Sequence, residues 1–361
     1  MPRTHRPRVA IVGATGAVGH ELLRLIETRD LPVEVSGLAA SERSAGTQLR
    51  FRGQAIEVQP LDTFDFSTTE VAFFSAGSSV SREHARRAAA QGALVIDNTN
   101  AFRMDADTPL VVPQVNAHVL RQRPASGIVA NPNCSTVPVV RLLHPVQAVN
   151  PLVSVIACTY QAASGAGLTG LQQLRQSCLE VIEGLPADAP PIQQRFAAPL
   201  GFNAVPHIDV MQADGFTLEE QKMRQEARKI LGIAALHVSA TCVRVPVQNC
   251  HSAAVYVRGT QPVDVDTLAR IWRASPEVQV YDNPTFPTPR ALGATDLVHV
   301  GRIRTDPEDK RAFWFWVVSD NLRVGAALNA VQILEGLLKD RALERWAAAP
   351  QTLAAPVGAV S

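Results

Sequence analysis

A glycine-rich turn near the amino terminus constrains the fold of this chain more than any other feature. Its glycines follow the pattern G-x-x-G-x-x-G, between an apolar strand at residues 8–12 and an apolar-periodic helix at 18–28. In this context glycines let backbone N–H groups approach a pyrophosphate at the helix N-terminus. The pattern alone also occurs in structural turns, but its position favours nucleotide binding. The candidate residues are Gly13, Thr15, Gly16, Ala17, Val18 and Gly19.

Strands and helices continue to alternate through the first third of the chain. A second helix is predicted at residues 81–91, and further strands are predicted at 33–39, 71–75, 94–97 and 128–130. This alternation is typical of an α/β fold, with a parallel sheet covered on both faces. We therefore expect a Rossmann-type nucleotide-binding domain over residues 1–133.

The pattern changes after residue 133. Longer, partly alternating strands are predicted at 152–158, 236–247, 253–258, 297–304 and 312–319, with helices at 166–184 and 217–231. They favour an α+β domain with a largely antiparallel sheet over residues 134–321. A C-terminal helix at 322–345 is expected to complete the first domain. We expect a surface excursion at 186–202 and a disordered tail at 347–361.

Composition argues against several classes of protein. The 361 residues include 34 basic and 33 acidic side chains, which gives no electrostatic reason to expect nucleic acid or a membrane surface as partner. The basic start precedes no apolar run of signal-peptide or membrane-span length, so a cytoplasmic location is expected. Five cysteines without close pairing argue against a disulfide framework or a metal site.

The end of the second predicted strand indicates which nucleotide is bound. An NAD site places an acidic residue about 20 residues after the glycine loop. Here the strand is followed instead by Ser41, Arg43 and Ser44, a cluster suited to the 2′-phosphate of NADP. Glu42 lies in the same segment, so an NAD site or a solvated loop remains an alternative.

A cysteine follows the last strand of the first domain. Cys134 lies in the segment ANPNCSTVP, where its sulfur should sit near a helix N-terminus whose dipole favours the thiolate. Pro138 fits only the first turn of a helix, so the helix should begin near Cys134 or Ser135. The polar neighbours favour a nucleophile over a buried small hydrophobe. We interpret Cys158, Cys178 and Cys242 as buried small hydrophobic residues.

A nucleophilic thiol needs a partner that handles its proton. His251 lies in a bend between two predicted strands, but most isolated histidines are merely exposed or hydrogen-bonded. Glu219 and Lys222 share one helix face, while Thr217 and Glu220 form a capping box at the helix start. From the residues alone, a surface ion pair is the simpler interpretation of Glu219 and Lys222.

Taken together and in order, these segments resemble the bacterial-type aspartate-semialdehyde dehydrogenase family. The resemblance spans about residues 8–339, and the ordered set is far more specific than any single motif. The matching segments are GATGAVG (13–19), SERSAG (41–46), FFSAG (73–77), NAFRMD (100–105), NPNCST (131–136), TYQAASGAG (159–167), FNAVPHID (202–209), FTLEEQKM (216–223), CVRVPV (242–247) with His251, and DNLRVGAALNAVQI (320–333).

The resemblance implies a role for individual positions. Cys134 would be the nucleophile, His251 the acid/base catalyst, and Gln161 the residue that orients the intermediate. Arg244 would bind the substrate α-carboxylate and Glu219 its ammonium group. The phosphoryl group would be held by Arg103 and Lys222, with Asn133 also in the substrate and phosphate site. Cofactor contacts would come from the glycine loop and from Ser41, Arg43, Ser44, Ser75, Gly77, Ser164, Gly165 and Asn321.

The resemblance also implies the reaction. It is the reversible, NADPH-dependent reductive dephosphorylation of L-aspartyl-4-phosphate to L-aspartate 4-semialdehyde, through a thioester on Cys134. The pathway would be the biosynthesis of lysine, threonine and methionine. The implied cofactor is NADP(H), the implied partners are the small-molecule substrate and inorganic phosphate, and the implied assembly is a homodimer or tetramer.

Three positions depart from the family pattern. Cys250 replaces a small residue before the histidine, Ala253 replaces a glutamate after it, and Pro138 replaces a frequently polar residue. They leave two alternatives open: a reductase of another acyl phosphate, such as N-acetylglutamyl phosphate, or a catalytically silent nucleotide-binding paralogue. Glu219 and Arg244 argue against the first alternative, because an acylated amine needs no carboxylate partner. The retained catalytic residues argue against the second.

Overall fold

The computed structural model describes residues 6–184 and 195–348, which form two sheets and the helices around them. The strands are β1 (Arg8–Val12), β2 (Glu34–Ala40), β3 (Gln48–Phe51), β4 (Gln54–Pro60), β5 (Val71–Phe74), β6 (Leu94–Asp97), β7 (Ile128–Ala130), β8 (Leu152–Gln161), β9 (His237–Arg244), β10 (His251–Gly259), β11 (Val278–Val280), β12 (Val298–Thr305) and β13 (Ala312–Ser319). The α-helices are α1 (Ala17–Thr28), α2 (Ser78–Ala90), α3 (Pro113–Asn116), α4 (Thr136–Gln147), α5 (Gly167–Ile182), α6 (Leu218–Leu231), α7 (Val265–Arg273), α8 (Pro289–Leu292), α9 (Leu328–Lys339) and α10 (Ala342–Ala348).

The first sheet has the strand order β3-β4-β2-β1-β5-β6-β7, and only the β3–β4 pairing is antiparallel among the described residues. Alternate residues of β1 enter two separate apolar clusters. Val9 and Ile11 pack in a cluster that includes α1, whereas Ala10 and Val12 pack in one that includes α2. The sheet is thus covered on both faces, as the apolar runs predict.

The hairpin β3–β4 was not predicted from the sequence. It is an edge hairpin whose turn contains Arg52 and Gly53, both with positive φ. Most residues of β3 and β4 are partly or fully exposed, so these strands lack the apolar run that identifies the buried ones. The alternation signal is weak for strands of this kind.

The second sheet has the order β11-β12-β13-β10-β8-β9. Within the described ranges, the pairings of β10 with β13, β10 with β8 and β12 with β13 are antiparallel, and the other two are parallel. The predicted fold class, a parallel-sheet domain plus a largely antiparallel α+β domain, is confirmed. The strand ends differ: β8 runs on to Gln161, and β9 stops at Arg244.

Helix α4 connects the two sheets. Nine of its twelve residues are buried, and it packs against α6, α7 and β13. One apolar cluster therefore extends from β1 and α1, through α4, into the second sheet. Because residues 131–135 connect β7 to α4, this packing fixes the position of the segment around Cys134.

The C-terminal segment returns to the first domain, where α9 packs against α1 and α3. The single helix expected over residues 322–345 is divided into a π-helical turn (Arg323–Ala327), α9 and α10. Arg341 has a φ of 52°, which breaks the helix between α9 and α10. The predictions for most of 186–202 and for the tail concern residues 185–194 and 349–361, which lie outside the described residues. Over 6–184 and 195–348, no helix has the length and apolarity of a membrane span.

Candidate active site

Cys134 lies between β7 and α4, and its thiol is half-buried. Its Sγ donates a hydrogen bond to Oδ1 of Asn133 over 3.6 Å. Ser135 is the N-cap of α4, so the helix begins at Thr136, close to the predicted start, with Pro138 in its first turn. The π-helical turn packs against the same segment, because Gly325 lies directly beside Cys134.

Glu219 connects the cysteine segment to the second sheet. Its Oε1 accepts hydrogen bonds from Asn133 Nδ2 at 2.8 Å, Gln161 Nε2 at 3.1 Å and Ser135 Oγ at 3.4 Å. Burial alone raises the pKa of this carboxyl, but Lys222 and the amide donors outweigh burial and lower it to about 2. Glu219 therefore remains a carboxylate inside the site.

Lys222 is paired twice. Its Nζ lies 3.3 Å from Glu219 Oε2 and forms a closer ion pair with Asp209. Burial opposes the charge, but the two carboxylates raise the pKa of Lys222 above its ordinary value. Glu219 is only 5% exposed, so the simpler interpretation of Glu219 and Lys222 as a surface pair is wrong. Asp209 was not identified from the sequence.

His251 and Arg244 meet around Ala162. The backbone N–H of Ala162 donates to Nδ1 of His251 over 3.0 Å, and Arg244 Nη1 donates to the Ala162 carbonyl oxygen over 2.6 Å. A Cβ at Gly165 would lie 2.8 Å from Arg244 Nη1 and 3.1 Å from the His251 ring, so glycine allows the backbone to pack closely against both buried groups. Nδ1 accepts a hydrogen bond, so neutral His251 carries its proton on Nε2.

The charges around the thiol act in opposite directions. Burial first, and then the carboxylate of Glu219, raise the pKa of Cys134 to about 12, while Arg244, Arg103 and Lys222 oppose them. The expectation of a resting thiolate favoured by the helix N-terminus is therefore wrong. Desolvation and a neighbouring carboxylate both disfavour the anion, and they outweigh the cations.

Arg103 is held from three directions. Its Nε donates to the carbonyl oxygen of Asn131, its Nη2 to that of Asn98, and its Nη1 to Glu226 over 2.8 Å. Lys229 donates from Nζ to three carbonyl oxygens of the 103–108 loop. Sequence reasoning missed both Glu226 and Lys229. The sequence could have identified them, because their spacing places them on the helix face that begins with Glu219 and Lys222.

The glycine loop lies at the carboxyl end of β1, where its predicted residues come together. Gly13 has a φ of 83°, and a Cβ there would lie 2.6 Å from the carbonyl oxygen of Ser75. A Cβ at Gly19 would clash with the carbonyl oxygen of Gly13. Gly16 is the N-cap of α1 and has no side chain to bond the first N–H groups, which leaves them available to an anion.

The other predicted cofactor residues lie at neighbouring strand ends. A 3₁₀ turn at Glu42–Ser44 follows β2 and contains Arg43 and Ser44. Ser41 directly precedes this turn, and Arg43 is exposed. Gly77 is the N-cap of α2, directly after β5. These strands are parallel to β1, so their carboxyl ends share the edge that carries the glycine loop.

Ser164 and Asn321 form a second polar cluster beside His251. Asn321 Nδ2 lies 2.9 Å from Ser164 Oγ, and Asn321 Oδ1 accepts the backbone N–H of Cys250 over 3.1 Å. Cys250 has a φ of 69°, a conformation that favours glycine. The departure at residue 250 therefore places a side chain in a left-handed position next to His251.

Two family models match the chain. They are described as "Semialdehyde dehydrogenase, NAD binding domain", over residues 8–123, and "Semialdehyde dehydrogenase, dimerisation domain", over residues 143–324. The aspartate-semialdehyde dehydrogenase of Bacillus subtilis (strain 168) is 44% identical over 339 residues, which cover 92% of this chain and 97% of that protein. The chain belongs to the aspartate-semialdehyde dehydrogenase family.

Solved structures agree with this family assignment. Aspartate semialdehyde dehydrogenase II of Vibrio cholerae, complexed with ASA, matches with a TM-score of 0.90 and 39% identity, over 93% of this chain and 99% of that chain. The enzyme of Candida albicans with NADP matches with a TM-score of 0.73 and 25% identity, over 94% of this chain and 100% of that one. The first domain is thus a binding domain for a nicotinamide cofactor.

The predicted substrate residues converge on one place. Direct bonds join Glu219 to Asn133, Gln161 and Lys222. The thiol of Cys134 and the ring of His251 both experience the charges of Glu219 and Arg244. Arg103 joins the group through Glu226. The predicted residues thus bring one buried carboxylate and three cations within electrostatic reach of the thiol.

Proposed function

We propose that this chain catalyses the reversible, NADPH-dependent reductive dephosphorylation of L-aspartyl-4-phosphate to L-aspartate 4-semialdehyde. The observation that carries this proposal is the buried carboxylate of Glu219, which lies with the guanidinium of Arg244 beside the Cys134 thiol. A free α-amino acid presents one ammonium and one carboxylate group. A buried anion and a buried cation beside a nucleophile complement that pair and do not suit an acylated amine.

The phosphoryl group needs additional positive charge. Arg103 has guanidinium N–H groups beyond the three that its described partners use, and Lys222 has a donor beyond its two ion pairs. Both cations lower the pKa of the Cys134 thiol, so both lie within electrostatic reach of its sulfur. A phosphate held by them would be placed for displacement by the sulfur.

The reaction divides into two halves. In the first, the sulfur of Cys134 bonds to the acyl carbon as the bond to phosphate breaks, and the thiol proton leaves with the phosphate. In the second, the thioester carbon is reduced to the aldehyde level by a hydride that the nicotinamide cofactor, when bound, would supply. The Nε2–H of His251 would donate a hydrogen bond to the developing oxygen anion. When that anion re-forms the carbonyl and the carbon–sulfur bond breaks, the sulfur would take up a proton from water, which restores the thiol.

The residues present fit NADP(H). Gly13, Gly16 and Gly19 leave a side-chain-free loop at an uncapped helix N-terminus, which suits a pyrophosphate. Arg43, with Ser41 and Ser44, would meet a 2′-phosphate at the end of β2. The NADP complex of the Candida albicans enzyme supports this choice.

The exposed face of the second sheet supports a homodimer. Ile156 and Tyr160 are exposed on β8, and Tyr160 contacts the ring of Trp316 at 5.5 Å. An exposed apolar face of this kind is typical of an interface. We therefore assign assembly to this sheet. We also assign the reaction to the biosynthesis of lysine, threonine and methionine.

The test is an assay of NADP⁺ reduction with aspartate semialdehyde and phosphate. We expect turnover that requires phosphate, is lost in Cys134→Ser, and is retained in Cys178→Ser, which alters a half-buried cysteine outside the site. Absence of turnover in the wild-type protein would contradict the proposal. Turnover with N-acetylglutamate semialdehyde instead would overturn the substrate assignment.

A further inference from the structure

Glu226 is a deeply buried acidic side chain bonded to the cysteine segment, with 1% of its surface exposed. Both of its carboxylate oxygens are bonded to groups of the candidate site. Oε1 accepts from Arg103 Nη1 over 2.8 Å, and Oε2 accepts from the backbone N–H of Asn133 over 2.7 Å. One carboxylate therefore joins the guanidinium to the residue directly before the nucleophile.

Glu226 belongs to a charged stripe on one face of α6. Glu219, Lys222, Glu226 and Lys229 are spaced three, four and three residues apart, so they project from the same side of the helix. Each contacts a different part of the site. Glu219 and Lys222 lie toward Gln161 and Asp209, whereas Glu226 and Lys229 hold Arg103 and the loop that carries it.

We propose that Glu226 is a positioning residue that orients Arg103 toward the phosphoryl group while it holds the Asn133 backbone that presents Cys134. The inference rests on the proposed function, in which Arg103 binds phosphate. Among the described residues, Glu226 has no direct hydrogen bond or ion pair to Arg244 or Glu219, which lie at the amino-acid end of the site. Its loss should therefore affect phosphate selectively.

The two bonds require two acceptor oxygens. Glutamine has one acceptor and one donor group, so in Glu226→Gln either Arg103 or the Asn133 N–H faces another donor. Aspartate keeps the charge but is one methylene shorter, so Glu226→Asp cannot reach both partners with the same geometry. Both variants should misplace the phosphate side of the site, with the larger effect in Glu226→Gln.

The matched control is Glu220→Gln on the same helix. Glu220 is also buried, and it bonds the backbone N–H groups of Thr217 and Cys242 rather than a site residue. It therefore reports the cost of losing a buried carboxylate from α6 without a change at Arg103. We expect a lowered Tm and unchanged KM values in this control.

The first measurement compares KM values for each substrate. In Glu226→Gln we expect the KM for phosphate to rise at least about tenfold and kcat to fall about tenfold or more, with the KM for aspartate semialdehyde and for NADP⁺ within about twofold. Glu226→Asp should show the same selective change to a smaller degree. Equal losses for all three substrates, or no change for phosphate, would overturn the inference.

The second measurement does not depend on turnover. Phosphate should slow the alkylation of Cys134 by iodoacetamide at alkaline pH, and Glu226→Gln should need about tenfold more phosphate for the same protection. If phosphate protected Cys134 in the wild-type protein but turnover did not depend on phosphate, the result would count against the proposed function and not against the role of Glu226. Equal protection in wild type and variant would count against the role of Glu226. If both Glu226 variants failed to fold, the residue would be assigned to stability and the inference overturned.

Discussion

Gly325 lies so close to Cys134 that a Cβ at residue 325 would be 2.5 Å from the Cβ of Cys134 and 2.7 Å from its Cα. Two of the atoms it would meet, the Cα and the carbonyl oxygen, belong to the backbone, so they cannot move aside as a flexible side chain can. The π-helical turn that carries Gly325 thus packs directly against the backbone of Cys134 and limits where that residue can lie.

Gly325→Ala should displace the cysteine segment. We expect kcat to fall at least about tenfold, because small misplacements of a reacting group are costly, together with a lower Tm. Gly336→Ala is the control, since nothing lies within 4 Å of a Cβ at that position in α9. It should leave kcat unchanged and leave the Tm equal or slightly higher. Wild-type kcat in Gly325→Ala would contradict the close packing.

The second prediction concerns the pH profile. Burial, and then the charge of Arg244, lower the pKa of His251 to about 3. Its protonated form is therefore absent above about pH 5, and the neutral ring with its Nε2 proton is the working species. We expect the profile of kcat/KM between about pH 5 and 9 to contain no histidine ionisation. A limb with a pKa near 6.5 that disappears in His251→Asn would contradict this.

The third prediction concerns the reactivity of Cys134. With a pKa of about 12, its alkylation by iodoacetamide should be slow near neutral pH and should rise about tenfold per pH unit. Glu219 raises that pKa and Lys222 lowers it, so Glu219→Gln should accelerate alkylation and Lys222→Gln should slow it. Mass spectrometry at fixed alkaline pH measures both rates. The same direction of change in both variants would refute this electrostatic account.

The fourth prediction concerns Cys250, whose left-handed backbone suits glycine. We expect Cys250→Gly to be more stable than Cys250→Ala by about 1 kcal/mol, because alanine in this conformation is strained. At Cys242, buried in the extended strand β9, the order should reverse, since glycine there loses more conformational freedom. Denaturant unfolding of the four variants tests both orders, and alanine above glycine at residue 250 would be inconsistent with the strain.

The fifth prediction concerns cofactor choice. Arg43→Ala should raise the KM for NADP⁺ about ten- to a hundredfold, because it removes one charge-assisted contact to the 2′-phosphate. Values of kcat/KM with NAD⁺ should stay within about twofold. Arg50→Ala, at another exposed arginine on the edge strand β3, serves as the control. Equal losses with both cofactors would argue against a 2′-phosphate contact at Arg43.

Local sequence patterns were sufficient to predict the elements whose buried residues are consecutive in the chain. Strands β1, β6 and β7 begin and end at the predicted residues, because mostly buried strands of a parallel sheet are continuous apolar runs between turn residues. The capping box of α6 was also recognised, because its two partners are three residues apart. The hairpin β3–β4 was missed, because an exposed edge has no such apolar run.

The sequence by itself thus determined the two-domain architecture, the glycine loop and the choice of Cys134 as the candidate nucleophile. Only the tertiary structure decided the pKa of this thiol and which residues bind its neighbours. Glu219 is distant in sequence from Asn133 and Gln161, Glu226 from Arg103, and Ala162 from His251. The pKa of Cys134 and the tautomer of His251 depend on these long-range contacts, and no local periodicity encodes the distance between groups that only folding brings together.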